Sequence, residues 1–222
     1  SDFARIGATF DAPLVHVIYL KLLKPLKAGK QYTIDFKQLG IPKETFIYEP
    51  SKMRSEAVHV SHIGFRPDDP SKVAFLSLWM GSGGPVDFKE KTVFYVLDDK
   101  SGEAVYKGEI KLSKKVSERD EDAYGNNFNG TNVYLMDFSQ FQKPGKYRLY
   151  VDGIGCSYPF DIDNDVWKKA FFVSVRALYH QRSGIELGPP FTTFKRPRNF
   201  HPDDGVRVYA TKTTLFDLEF NL

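Results

Sequence analysis

The chain has 222 residues, 41% of them apolar and 15% aromatic, and a formal net charge of +3. That apolar content is enough to bury a core and argues against disorder. Acidic and basic residues are interleaved, and the basic blocks Lys111–Lys115 and Lys195–Arg198 lack the aromatics of a nucleic-acid groove, so no nucleic-acid partner is expected.

The single cysteine, Cys156, excludes an internal disulfide framework and a four-cysteine zinc site. No apolar run approaches the ~18 residues of a membrane helix, so no membrane partner is expected. No signal peptide is recognisable. The sequence opens at Ser1 inside what reads as an ongoing segment, which leaves room for a leader upstream.

Short strands separated by turn residues fill the first ~160 residues. In chain order they are predicted at Leu14–Leu22, Gln31–Phe36, Thr45–Tyr48, Ala57–Val60, Val73–Leu78, Thr92–Leu97, Ala104–Ile110, Val133–Asp137, Lys146–Val151 and Tyr158–Ile162. Pro25-Leu26-Lys27-Ala28-Gly29-Lys30 reads as the turn joining two paired strands. The N-terminal pair either completes the same sandwich or ends a preceding module. Asp98-Asp99-Lys100-Ser101-Gly102 and Lys143-Pro144-Gly145 are turn sequences, because glycine tolerates positive φ and proline presets φ. Ten strands without intervening helices predict an antiparallel, immunoglobulin-like β-sandwich. Tyr147, two residues beyond Pro144-Gly145 at a strand start, is expected to form a tyrosine corner, its hydroxyl returned to nearby backbone.

One helix follows. Asp163 to Gly184 places Trp167, Ala170, Phe171, Ser174, Leu178 and Gln181 at roughly helical spacing. Asp163 or Asn164 is expected as the cap, and Gly184 ends the run before Pro189 and Pro190. An amphipathic helix with so little chain left to pack against reads as the front end of something larger.

Candidate chemistry is sparse. The loop from Asp120 to Asn127 concentrates oxygen donors, which calcium requires in sixes to eights. The late glutamate of an EF-hand is absent, so a solvated loop is the plainer reading; under the calcium reading, Asp120, Asp122 and Asn126 are the first ligands. His59 and His62 are three apart and point to opposite faces if the strand is straight, so a shared metal needs a bend. No phosphate loop, nucleophile elbow or dinucleotide fingerprint occurs. Gly81-Ser82-Gly83-Gly84 reads as a loop between strands, and the adjacent Asp203 and Asp204 are unsuited to flank one glycosidic bond.

Three separated stretches resemble one family in order. The run Ser55-Glu56-Ala57-Val58-His59-Val60-Ser61-His62-Ile63-Gly64-Phe65-Arg66-Pro67 resembles the opening of the N-terminal immunoglobulin-like domain of glycoside hydrolase family 9 enzymes, with Ser61-His62 replacing the usual Asn-Gln and Phe65 the usual Tyr. Gly130 to Tyr134, Asp137 to Ser139, Pro144 to Tyr147 and Tyr158 to Ile162 resemble its later strands. Ala177 to Gly184 resembles the first helix of the family's (α/α)6 catalytic barrel.

The resemblance implies three parts: N-terminal strands over 1–54, the sandwich over 55–162, and the start of the barrel over 163–222. It implies a secreted or periplasmic bacterial parent that cleaves β-1,4-glucans by inversion. The missing barrel of the same polypeptide would be the chain's partner, and the exposed helix face could also self-associate. The family's Asp-Ala-Gly-Asp motif and distal glutamate do not occur in these residues, so the resemblance implies a chain with no catalytic residues and no required cofactor. Ser183 stands where some members have a zinc-binding cysteine, which argues against that zinc here. The alternative function is a stand-alone carbohydrate-binding module, with Trp79, Tyr95 or Tyr106 stacking on sugar rings.

Overall fold

The computed structural model describes residues 17–37, 40–120 and 124–207. The chain divides into two compact units, Ser1–Asp163 and Asn164–Leu222.

The first unit contains twelve strands among its described residues: β1 (Gln31–Ile34), β2 (Glu44–Ile47), β3 (Val58–His59), β4 (Val73–Leu76), β5 (Leu78–Trp79), β6 (Pro85–Val86), β7 (Val93–Asp98), β8 (Ala104–Lys114), β9 (Val133–Asp137), β10 (Gly145–Val151), β11 (Gly155–Cys156) and β12 (Phe160–Ile162). One hydrogen-bonded path runs β11-β10-β7-β8-β9-β4-β3, with β12 also pairing β10. All pairings between these strands are antiparallel. The path divides at the eleven-residue β8: Ala104–Glu109 pair with β7, and Ile110–Lys114 pair with β9. This strand thereby serves both sheets of an immunoglobulin-like β-sandwich.

Alternation along the strands builds one core between the sheets. Tyr147, Leu149 and Val151 of β10 are buried, as are Phe94 and Val96 of β7. Opposite them lie Ala74 and Leu76 of β4 and Tyr134 and Met136 of β9, all in the same cluster. Phe138 sits at 0% exposure with its ring 5.3 Å from Phe65 and 5.5 Å from Phe160. Gly108 of β8 makes room for Phe94, because a Cβ there would lie 2.4 Å from the ring. Lys72 is fully buried, and its ammonium donates to the carbonyls of Pro67 and Asp69, both at 3.0 Å. A buried cation so paired fixes the loop that leads into β4.

The tyrosine corner forms as the sequence suggests. Tyr147 is 1% exposed and its hydroxyl donates to the Pro144 carbonyl at 3.1 Å. The incoming segment also joins the final strands in parallel. Arg54 bridges Cys156 and Phe65 bridges Ile162. The bonds are Cys156 N to Met53 O at 2.7 Å, Ser55 N to Cys156 O at 2.8 Å, Phe65 N to Asp161 O at 2.9 Å and Asp163 N to Phe65 O at 3.0 Å.

The N-terminal strands differ from the prediction. Residues 17–22 of the predicted strand Leu14–Leu22 are exposed coil without a partner strand, and residues 14–16 lie outside the described residues. β1 and β2 pair with each other in a separate two-stranded sheet rather than extending the sandwich. β5 and β6 form a small hairpin, and Gly81–Gly84 lies in the expected loop between strands, with one 3-10 turn at Gly81–Gly83.

Four aspartates of this unit are held below the ordinary value of 3.8 by hydrogen bonds: Asp68 chiefly by the Arg66 guanidinium, Asp87 chiefly by the Tyr134 hydroxyl, Asp98 chiefly by the Ser101 backbone N–H, and Asp137 chiefly by the Ser139 hydroxyl. A depressed carboxylate stabilises the fold above its unfolded value, and that stabilisation is lost as pH falls through the folded value. The thermal midpoint is therefore expected to hold from neutrality down to the usual carboxylate range and to drop below it. Scanning calorimetry across acid pH checks this; a midpoint that rises on acidification would contradict it.

Among its described residues the second unit contains a 3-10 turn at Pro202–Asp204 and one α-helix, α1 (Val166–Gln181). Its N-cap position is Asp165 rather than Asp163 or Asn164, because the helix starts a residue or two later than its polar lead-in suggests. None of its residues is buried; Phe171 is 71% and Leu178 70% exposed. The following segment folds back on itself through a bridge between Leu187 and Arg196, and Leu187 is 1% exposed. His180 Nε2 lies 2.8 Å from Thr192 Oγ1.

Candidate functional site

The oxygen-rich loop after β8 is organised by its own side chains. The Asp120 carboxylate pairs with the Lys114 ammonium and accepts from Phe128 N at 2.7 Å, while Asp120 N donates to Asn126 O at 2.8 Å. The Asn127 amide donates to the carbonyls of Glu118 at 2.7 Å and Lys115 at 3.2 Å. A cation at Asp120 would compete with Lys114 for the same oxygens. Asn126 meets Asp120 here through its backbone carbonyl, and Asp122 lies outside the described residues.

The described histidines do not converge. His59 Nε2 lies 3.0 Å from the Ser77 carbonyl, and the His62 ring meets the edge of Tyr158 at 5.0 Å. His201 Nδ1 accepts from Asp203 N at 3.2 Å, within its own turn. Asp204 is instead engaged by Arg198 through two bonds of 3.0 and 2.6 Å. Among the described residues no group of three or more His, Cys, Asp or Glu side chains is placed to hold a metal.

Cys156 is fully buried in β11 with its Sγ 2.9 Å from the Ser51 carbonyl. Burial pushes its thiol up to about 11. At neutral pH it is a protonated core side chain rather than a nucleophile.

The three aromatics named for sugar stacking are not brought together. Tyr106 is opposite Val96 in the β7–β8 ladder and packs inward on Phe94 and Phe141. Tyr95 points to the outer face, 6.2 Å from Tyr150. There the Tyr150 hydroxyl donates to Asp152 at 2.8 Å, in a groove of about 420 Å³ reaching Ser51. Trp79, 57% exposed on β5, borders a different groove of about 370 Å³ with Tyr19, Arg54, Glu56, His59 and Asn129. The sequence flagged Trp79 for sugar stacking but not its neighbours, which come from three other stretches of chain.

The sandwich and its tyrosine corner define an immunoglobulin-like module. Residues 53–156 match the family model of the cellulase N-terminal ig-like domain. The likeness to cellulase N-terminal ig-like domains is carried by this segment, a little under half of the chain.

A cellulose 1,4-beta-cellobiosidase of Acetivibrio thermocellus is 36% identical over 64 residues, 27% of this chain and 7% of that protein. A xyloglucan-specific endo-beta-1,4-glucanase of Bacteroides ovatus is 24% identical over 161 residues, 72% of this chain and 24% of that one. A metagenome-derived glycoside hydrolase family 9 endoglucanase structure aligns with TM-score 0.49 and 22% identity, over 64% of this chain and 24% of that one. The chain thus spans a quarter or less of these relatives' lengths.

Proposed function

We propose that this chain is the N-terminal portion of a family 9 glycoside hydrolase, in which the sandwich supports an (α/α)6 barrel that cleaves β-1,4-glucans by inversion. The observation that carries the reading is the family match over residues 53–156. The relatives' names, a cellobiosidase and a xyloglucan-specific endo-beta-1,4-glucanase, support β-1,4-linked glucan as the substrate class. Helix α1 is then the barrel's first helix, and Phe171, Phe172 and Leu178, exposed in this chain, are the surface that neighbouring barrel helices would cover. Such an enzyme is exported and meets its polymer outside the cytoplasm.

Inverting hydrolysis needs two carboxyl groups roughly 6.5–9.5 Å apart with a water between them. The nearest acidic neighbours near the barrel start, Asp203 and Asp204, are committed to a turn and to Arg198. The purified chain is therefore expected to release no reducing sugar from soluble β-glucan. The full reading frame is expected to hydrolyse it and to yield product of inverted anomeric configuration by NMR. Hydrolysis by this chain alone, or none by the full frame, would overturn the reading.

A further inference from the structure

We propose that the groove beside Trp79 is a saccharide-binding subsite on the sandwich, taking a neutral β-linked gluco-oligosaccharide separately from any catalytic cleft. The glucan class rests on the proposed function; the site itself rests on geometry. A pyranose ring presents an apolar face of C–H groups and a rim of hydroxyls. Its binding site needs an aromatic plate and flanking groups that both donate and accept hydrogen bonds.

The groove supplies both. Trp79 is 57% exposed, and Tyr19, 44% exposed, lines the same hollow. Trp79 is not a loose surface side chain. Its ring lies against Gly130, where an added Cβ would sit 3.2 Å from Cδ1, and Gly130 has φ +62°. The pyrrole edge of the indole is thereby seated on backbone that a side chain would obstruct.

Arg54, Glu56 and Asn129 provide donors and acceptors around it. The Arg54 guanidinium is 3.9 Å from the Glu56 carboxylate and stacks 4.1 Å from the centre of the Tyr158 ring. One cation opposite one anion leaves no net charge to select an anionic ligand, so the fitting ligand is neutral and rich in hydroxyls. The groove's volume of about 370 Å³ accommodates a disaccharide unit. The outer-face groove at Tyr95 is a poorer candidate, because the Tyr150 hydroxyl that lines it is already committed to Asp152.

The test uses the purified chain carrying Trp167→Phe, which leaves Trp79 as the only tryptophan of the two in the sequence. Titration with cellotetraose is expected to change the Trp79 fluorescence saturably. Isothermal calorimetry on the unaltered chain is expected to give the same affinity. Trp79→Ala is expected to weaken binding about tenfold or more, in line with removal of a dominant contact residue. Glu56→Gln is expected to weaken it less, and Tyr95→Ala to leave it unchanged. Because Trp79 is outside the core, its variant should keep the parent circular dichroism and melting midpoint, which separates lost binding from lost folding.

Absence of saturable binding by the intact chain, or binding lost in Tyr95→Ala but retained in Trp79→Ala, would overturn the proposal. Either result would leave the family reading intact, since that reading is tested by hydrolysis from the full frame.

Discussion

Replacing Phe138 with alanine is expected to lower the unfolding free energy by about 3–5 kcal/mol. Phe138 has no exposed surface and stands between the rings of Phe65 and Phe160, which come from opposite ends of the sandwich sequence. Removing its ring loses the transfer free energy of the apolar atoms and leaves a void. Collapse is hindered because the flanking backbone is pinned: Phe138 N bonds Lys72 O at 2.9 Å, and Phe141 N bonds Phe138 O at 2.9 Å. Against a typical total of about 5–15 kcal/mol, such a loss removes a large share of the stability. Urea unfolding of the chain and its variant measures it. A change below about 1 kcal/mol would mean that the sandwich does not close around this ring.

Gly145→Ala is expected to cost about 2–3 kcal/mol. A Cβ at this position would lie 2.5 Å from the Tyr147 hydroxyl oxygen and 2.8 Å from Cζ. Neither partner moves cheaply, because the ring is buried and the hydroxyl is the donor to Pro144 O. Tyr147→Phe keeps the ring and removes only the bond, and is expected to cost about 1–2 kcal/mol. In the double variant part of the clash disappears, so the combined loss should be smaller than the sum of the two. Strict additivity in denaturation measurements would show that the glycine acts independently of the corner.

The corner was legible because its determinants are local: proline, glycine and tyrosine lie within four residues of each other. The long strands β7 to β10 were legible for the same reason, since each carries its own alternation. β11 has only two residues, Gly155 and Cys156, too few to show a period. The continuation of β8 to Lys114 was missed because Lys111-Leu112-Ser113-Lys114 is exposed or half-exposed there and reads as surface.

The opposite error occurred at 17–22, where apolar residues imitate a strand but no partner strand satisfies their backbone. The groove at Trp79 was only half legible. A lone exposed tryptophan can be suspected from sequence, but Arg54, Glu56 and Asn129 reach it only through long-range pairing of β3, β4 and β9.

The parallel bonds between the incoming segment and the last strands have a mechanical consequence. Residues 53–55 meet Cys156, and Phe65 meets residues 161–163, in two parallel bridges made by four backbone bonds. If the chain before residue 53 and the chain after residue 163 are pulled apart, the two segments slide lengthwise past each other. The four bonds are then loaded together rather than broken one after another, and shearing resists more than unzipping. A module tethered at both ends would bear tension through its backbone ladder before its core is exposed to water.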